Sequence, residues 1–360
     1  MIALWVGIGA AAAWALVTLV GRAGGPAAIG AALARVDGWH WAALAPMTLA
    51  FYSLDWLRCV TLLAILGHRV SWRVGLELAA VGYFVTCLTP TSELYLPATI
   101  LWLVRRGVPV GVATAVSLAK SIYMLFWVLV TGLAGLALHA GPVVPPGLGA
   151  PLAIAFVVPV AMVIGLGLAM AFPGGVHRWC ARRRATWTGW RRALVRGLDD
   201  TVRALATIGR SRSASHLAAH AACFAFLACY VAIGWVVADG VGLALAPRRA
   251  LTTFTGSLLV AYVAPTPGGA GATEGATAYL LDPALPADAA TIALVVRALC
   301  TYVIAPVGLV LVAREAHRMG WSGFRRGLRR AATVARDDDA GDAARDGVRD
   351  GVREDGRLDR

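Results

Sequence analysis

Two carboxylates, each followed by a cation about one helix further on, stand in otherwise apolar surroundings. Glu274 lies in the run Pro265-Thr-Pro-Gly-Gly-Ala-Gly-Ala-Thr-Glu274-Gly, and Arg297 follows 23 residues later. Glu93 closes the run Pro90-Thr-Ser-Glu93, and 27 residues on comes Lys120, the one lysine among 360 residues. An ionised side chain near a bilayer centre costs ~2.5–3.5 kcal/mol, so four unpaired ones would cost roughly 10 kcal/mol. Groups placed at that cost can grip the charged head of a lipid, or exchange protons as access to them alternates. As plain buried salt bridges, Glu93 with Lys120 and Glu274 with Arg297, they would only fix helix register. Both readings are open at this point.

The surrounding residues extend both. Pro265, Pro267, Gly268, Gly269 and Gly271 suit a hairpin at membrane depth, where helical hydrogen bonding must stop and positive φ angles are needed. Amides freed in that hairpin, with the N-terminus of the helix after it, are expected to suit a phosphate; otherwise the glycines simply make the turn. Arg297 with Thr301, and Lys120 with Thr114, Ser117 and Ser121, form polar stripes at helical spacing that face a bundle or cavity. Asp55 and Arg58, three apart, read as an intrahelical pair that eases insertion, with Arg58 able to snorkel. His216 and His220 lack a third ligand nearby, so no metal site is expected. The six cysteines show no C-x-x-C spacing and read as packing residues. No nucleophile motif is recognisable, so neither an enzyme nor a cofactor is implied.

The elements that position these groups must be membrane helices. Hydrophobic residues make up 59% of the chain and charged ones 15%, and several apolar runs reach the length that spans a bilayer. The expected fold is an all-α polytopic membrane protein. Six full transmembrane helices are predicted at about 1–21, 40–66, 111–138, 151–172, 215–238 and 288–313. Segments 74–104 and 250–281 are apolar but broken by the Pro90 and Pro265 runs, and read as two re-entrant helix pairs, since irregular backbone at membrane depth must be buried in protein or line a wet cavity. With the N-terminus inside, 20 arginines fall in inside loops and only Arg22, Arg35, Arg248 and Arg249 outside, which fits the positive-inside rule. The same bias explains the net charge of +13 without nucleic acid. The two pairs then enter from opposite faces, giving inverted repeats at about 40–138 and 215–313 within a membrane domain of residues 1–318. An arginine-rich cytoplasmic loop, 174–212, is expected to be partly helical and either to lie on the anionic membrane surface or simply to mark topology. Residues 319–360, basic and then rich in Asp, Arg and Gly, read as a disordered cytoplasmic tail.

Pro265-Thr-Pro-Gly-Gly-Ala-Gly-Ala-Thr-Glu274, followed by Arg297-Ala-Leu-Cys-Thr-Tyr302 and Pro306, resembles the integral-membrane, flippase-like domain of lysylphosphatidylglycerol synthases. Leu57-Arg58, Leu66-Gly67, Pro90 to Glu93 and Leu103-Val-Arg-Arg-Gly107-Val are similar to that family's N-terminal repeat. The chain departs from the family pattern where Ser92 precedes Glu93, where Leu96 and Pro97 follow it in place of an arginine, and where Lys120 replaces an arginine. Nothing after Ala331 could form the synthases' soluble aminoacyl-transferase domain. What the resemblance implies is a bacterial cytoplasmic-membrane protein, with both termini cytoplasmic, that moves a lipid with a polar or anionic head by alternating access. The alternative is a non-transporting, lipid-binding subunit for a glycolipid, hopanoid or aminoacyl-lipid pathway enzyme. A membrane lipid, and with the alternative a lipid-modifying enzyme, are the partners implied.

Overall fold

A computed structural model describes residues 13–89, 95–137, 157–315 except 158, 159, 166, 169, 265 and 283–286, and residues 317–318. Every regular element within it is a helix. Helix α1 (Ala13–Arg22) bends by 72° into α2 (Gly25–Leu33). Then come α3 (Gly38–Ile65), α4 (Trp72–Leu88), α5 (Tyr95–Arg105) and α6 (Val110–Ala137). After α7 (Pro173–Thr186) and α8 (Trp190–Arg210) follow α9 (Ala214–Val241), α10 (Pro247–Val263), a 3-10 turn at Pro267–Gly269 and α11 (Ala272–Leu281). The last helix, α12 (Ala287–Glu315), is interrupted by a π turn at Ala298–Tyr302.

Four of these helices, α3, α6, α9 and α12, are long and apolar enough to cross a membrane, and the bent α1–α2 pair passes the same test as one unit. They match the spans expected at 40–66, 111–138, 215–238 and 288–313. Much of the expected spans at 1–21 and 151–172 lies outside the described residues, as do Pro90 to Glu93, Pro265 and the tail. The chain is a multi-pass membrane protein. Both broken segments form the pairs of shorter helices that their Pro and Gly content calls for. α4 packs on α5, and α10 on α11. Each pair follows one long helix and precedes another, so the lengths run 28, 17, 11, 28 and then 28, 17, 10, 29.

Helices in lipid gain little from apolar burial against each other and depend on close packing instead. The seam between α3 and α9 is the most extensive contact in the fold. Along its length it feeds two cores, one around Leu62, Leu63, Leu103 and Val116, the other around Ile233, Phe254, Leu281 and Ile292, each with residues of both helices. The units also cross over: α10 packs on α6, and α12 on α4. Glycine makes the second crossing possible, because a Cβ at Gly308 would stand 2.1 Å from the Ala80 carbonyl oxygen of α4. Hydroxyls satisfy backbone groups that lipid cannot. Thr86 and Thr89 bond back one turn along α4, and Tyr52 of α3 donates to the Leu299 carbonyl, beside the π turn, at 2.6 Å.

Candidate functional site: a cationic cavity between two helical units

Asp55 and Arg58 share one face of α3, and their pair is not an isolated one. Lys120 of α6 brings its Nζ to 2.9 Å from Asp55 Oδ2, while Arg58 donates to Asp55 Oδ1. All three are buried, with 4%, 4% and 8% of their surfaces exposed. Among the described residues, one carboxylate between two cations leaves a net charge of +1. The Arg58 guanidinium lies 3.8 Å from the centre of the Phe226 ring on α9, a contact that stabilises a cation without neutralising it. Phe226 in turn stacks on Phe51 of α3 at 4.2 Å. Arg58 Nε is buried with no hydrogen-bond partner among the described residues. A desolvated guanidinium N–H of this kind is costly, and the missing partner is an acceptor.

These residues face a cavity of about 150 Å³. The first unit contributes Phe51, Asp55, Arg58, Lys120 and Ser121, with Gly82, Tyr83 and Thr86 of α4 and Tyr95 and Thr99 of α5. The second contributes Phe226 and Tyr230 of α9, Leu258 and Tyr262 of α10, and Cys300 and Thr301 from the π turn. Apolar walls with a few converging polar groups are the usual build of a small-ligand site. Here the polar groups are cations and hydroxyls, suited to an anionic or polar head, and the walls suit the chain that carries it.

Glu274 and Arg297 form a different kind of cluster. Glu274, 1% exposed, is the third residue of α11 and reaches back to accept the Gly271 N–H at 2.8 Å, the carboxylate half of a capping box at the positive end of the helix. Its other oxygen accepts the Tyr302 hydroxyl at 3.0 Å and lies 3.3 Å from Arg297 Nε. Arg297 also donates to the Gly268 carbonyl. The π turn brings Arg297 and Tyr302 to one carboxylate: five residues apart, they would point about 140° away from each other on a regular α-helix. Gly268 then ties the two broken segments together, donating its N–H to the Thr89 carbonyl at 3.1 Å. With φ at 56° and the Thr86 carbonyl 3.0 Å from where its Cβ would be, only glycine fits there comfortably.

This geometry corrects the expectation that the glycine loop offers free amides to a phosphate. The amide of Gly268 is given to Thr89, that of Gly269 to the Thr266 carbonyl at 2.8 Å, and that of Gly271 to Glu274. Glu274 and Arg297 stand outside the cavity lining, whereas Asp55 and Arg58, which read from sequence as a local pair, and Thr301 are part of it.

Residues 2–308 match the family described as the lysylphosphatidylglycerol synthase TM region. The chain belongs to that family. No curated protein and no solved structure matches it significantly. The membership gives the chain a membrane, lipid-related role.

Lys120 pairs with Asp55, a contact the sequence did not suggest; its expected partner Glu93 lies outside the described residues, as does Pro265, and Pro267 opens the 3-10 turn. Sequence reasoning missed Phe226, Tyr302 and Tyr52. The first is one aromatic among many. Tyr302 joins Glu274 through the i, i+5 geometry of a π turn that hydropathy does not signal, and Tyr52 bonds a carbonyl 247 residues away that only packing brings near. His216 and His220 pack as rings around Tyr123, whose hydroxyl lies 3.3 Å from His216 Nδ1.

Proposed function

We propose that the chain is a lipid transporter that carries a polar or anionic head group through the cavity between two inverted repeats, α3–α6 and α9–α12, by alternating access. The observation that carries this reading is the cavity itself, walled by both units and holding a cluster whose described residues carry a net charge of +1. The repeated element lengths support it, since transporters built from inverted repeats hold substrate where broken helices of the two halves meet. Rocking one unit against the other about the α3–α9 seam would open the cavity first to one leaflet and then to the other. The arginine-bearing ends of α4 and α5 face the cytoplasm in this reading. No side chain is assigned a covalent step, so the protein acts by binding and moving the lipid.

A second reading, a static lipid-binding subunit for a separate lipid-modifying enzyme, draws on the Gly268–Thr89 bond and the closed Glu274 cluster, which tie the two breaks together. Reconstitution separates the two. Proteoliposomes carrying fluorescent anionic lipid in both leaflets should lose the inner-leaflet signal to an impermeant outside quencher faster than protein-free liposomes. A Thr301→Cys variant on a cysteine-free background should be labelled from either side of the membrane. Exchange at the protein-free rate, together with one-sided labelling, would discard transport in favour of the static binder.

A further inference from the structure

Helices α7 and α8, between the two units, carry a surface that the cavity does not use. Asp199 of α8, fully buried, accepts from Arg184 and His177 of α7 and, at 2.7 Å, from Arg203 of its own helix, which clamps α7 to α8. One face of α8 buries Val195, Val202, Leu205 and Ile208. It docks at the first turns of α6, so closely that a Cβ at Gly111 would stand 2.6 Å from Asp200 Cβ. The pair is therefore held at the end of the bundle where α6 and α9 begin, only three residues from α9.

Towards the N-terminus of α8 the same apolar stripe runs on without a packing partner among the described residues. Trp190, Leu194 and Leu198, spaced by one turn each, are 72%, 61% and 39% exposed. On α7, Trp179 is exposed as well, and the Arg183 guanidinium lies within 5.8 Å of its ring and 5.2 Å of the Trp187 ring. Between 173 and 210 there are nine arginines and two aspartates, one of them the clamped Asp199, for a net charge of +7. An apolar row with tryptophan at one end, set among arginines, is the composition of a helix lying in the headgroup layer.

We propose that the α7–α8 pair is an interfacial platform, with Trp190, Leu194 and Leu198 seated in the headgroup layer of an anionic leaflet of the same membrane and Arg178, Arg182 and Arg191 on its lipid phosphates. Charge selects this occupant over a soluble protein, because the face is basic throughout and the anionic surface is already within reach at that end of the bundle. Positive charge near such a surface is attracted within about a Debye length, so the seating weakens as salt rises.

Hydrogen exchange on the full chain tests this without reference to transport. In nanodiscs of equal parts phosphatidylcholine and phosphatidylserine, amides of 190–198 should exchange about tenfold more slowly than in phosphatidylcholine alone, and high salt should shrink the difference. The difference should also disappear in Trp190→Ser/Leu194→Ser/Leu198→Ser, and separately in Arg178→Gln/Arg182→Gln/Arg191→Gln, which spare the Asp199 clamp. Unchanged exchange at 201–210, held on α6, reports that each variant is folded. Equal exchange of 190–198 in the two lipids, or an effect that survives both variants, would overturn the proposal.

Discussion

The Asp55 and Glu274 clusters are built from the same parts and left in opposite states. At Glu274 every acceptor is used: a backbone amide, a tyrosine hydroxyl and an arginine surround one carboxylate, the charges cancel, and the glycine loop is tied to the neighbouring break. Among the described residues the Asp55 carboxylate is outnumbered by Arg58 and Lys120 and the cluster faces a cavity, whereas an Nε without a hydrogen bond is common to Arg58 and Arg297 and does not separate the two. A closed cluster stabilises one geometry, whereas an open one has unspent capacity for a ligand. The difference suggests a division of labour in which Glu274 and Arg297 hold the broken helices in register and Arg58 and Lys120 meet the lipid head.

Four substitutions would break or sharpen this contrast. Arg297→Leu should have the largest effect, since removing one partner leaves Glu274 buried and uncompensated; a loss of about 3–5 kcal/mol is expected in reversible SDS unfolding. Gly268→Ala should lose about 1–3 kcal/mol in the same measurement, because the loop must move off both its positive φ and the Thr86 carbonyl. Lys120→Met should weaken binding of a single-chain anionic lipid, measured by calorimetry in detergent, about tenfold, or roughly 1.4 kcal/mol. Its unfolding should stay within about 1 kcal/mol of wild type, as Asp55 keeps Arg58. Tyr302→Phe should cost the least, about 1 kcal/mol of stability for one hydrogen bond to a carboxylate with two other partners, and leave lipid binding unchanged. If Lys120→Met instead unfolded the protein, or Tyr302→Phe abolished lipid binding, the two clusters would not be divided as described.

Much of the scaffold was legible in the sequence. Hydropathy marks α3, α6, α9 and α12, and the Pro90 and Pro265 runs mark where α4–α5 and α10–α11 break. The pairing of Glu274 with Arg297 was legible too, because one short helix and part of a span separate them. The contact of Lys120 with Asp55 was not legible, for a physical reason. Asp55 is 65 residues away on another helix, and the three-residue spacing of Asp55 and Arg58 already looked complete as a local pair. Tertiary packing decides such a choice, and the chain order does not display it. The glycine loop misled in a similar way: its composition announces a turn with spare amides, but whether those amides stay spare depends on Thr89 and Glu274, which only the folded hairpins bring near.

Leaflet exchange by Lys120→Met and Tyr302→Phe, each normalised to its folded fraction and measured beside wild type in the same liposomes, tests the central claim most directly. The account predicts that exchange of an anionic lipid falls at least about tenfold in Lys120→Met, matching the lost head-group contact, and stays near wild type in Tyr302→Phe. Wild-type exchange by folded Lys120→Met, with exchange lost in folded Tyr302→Phe, would contradict it.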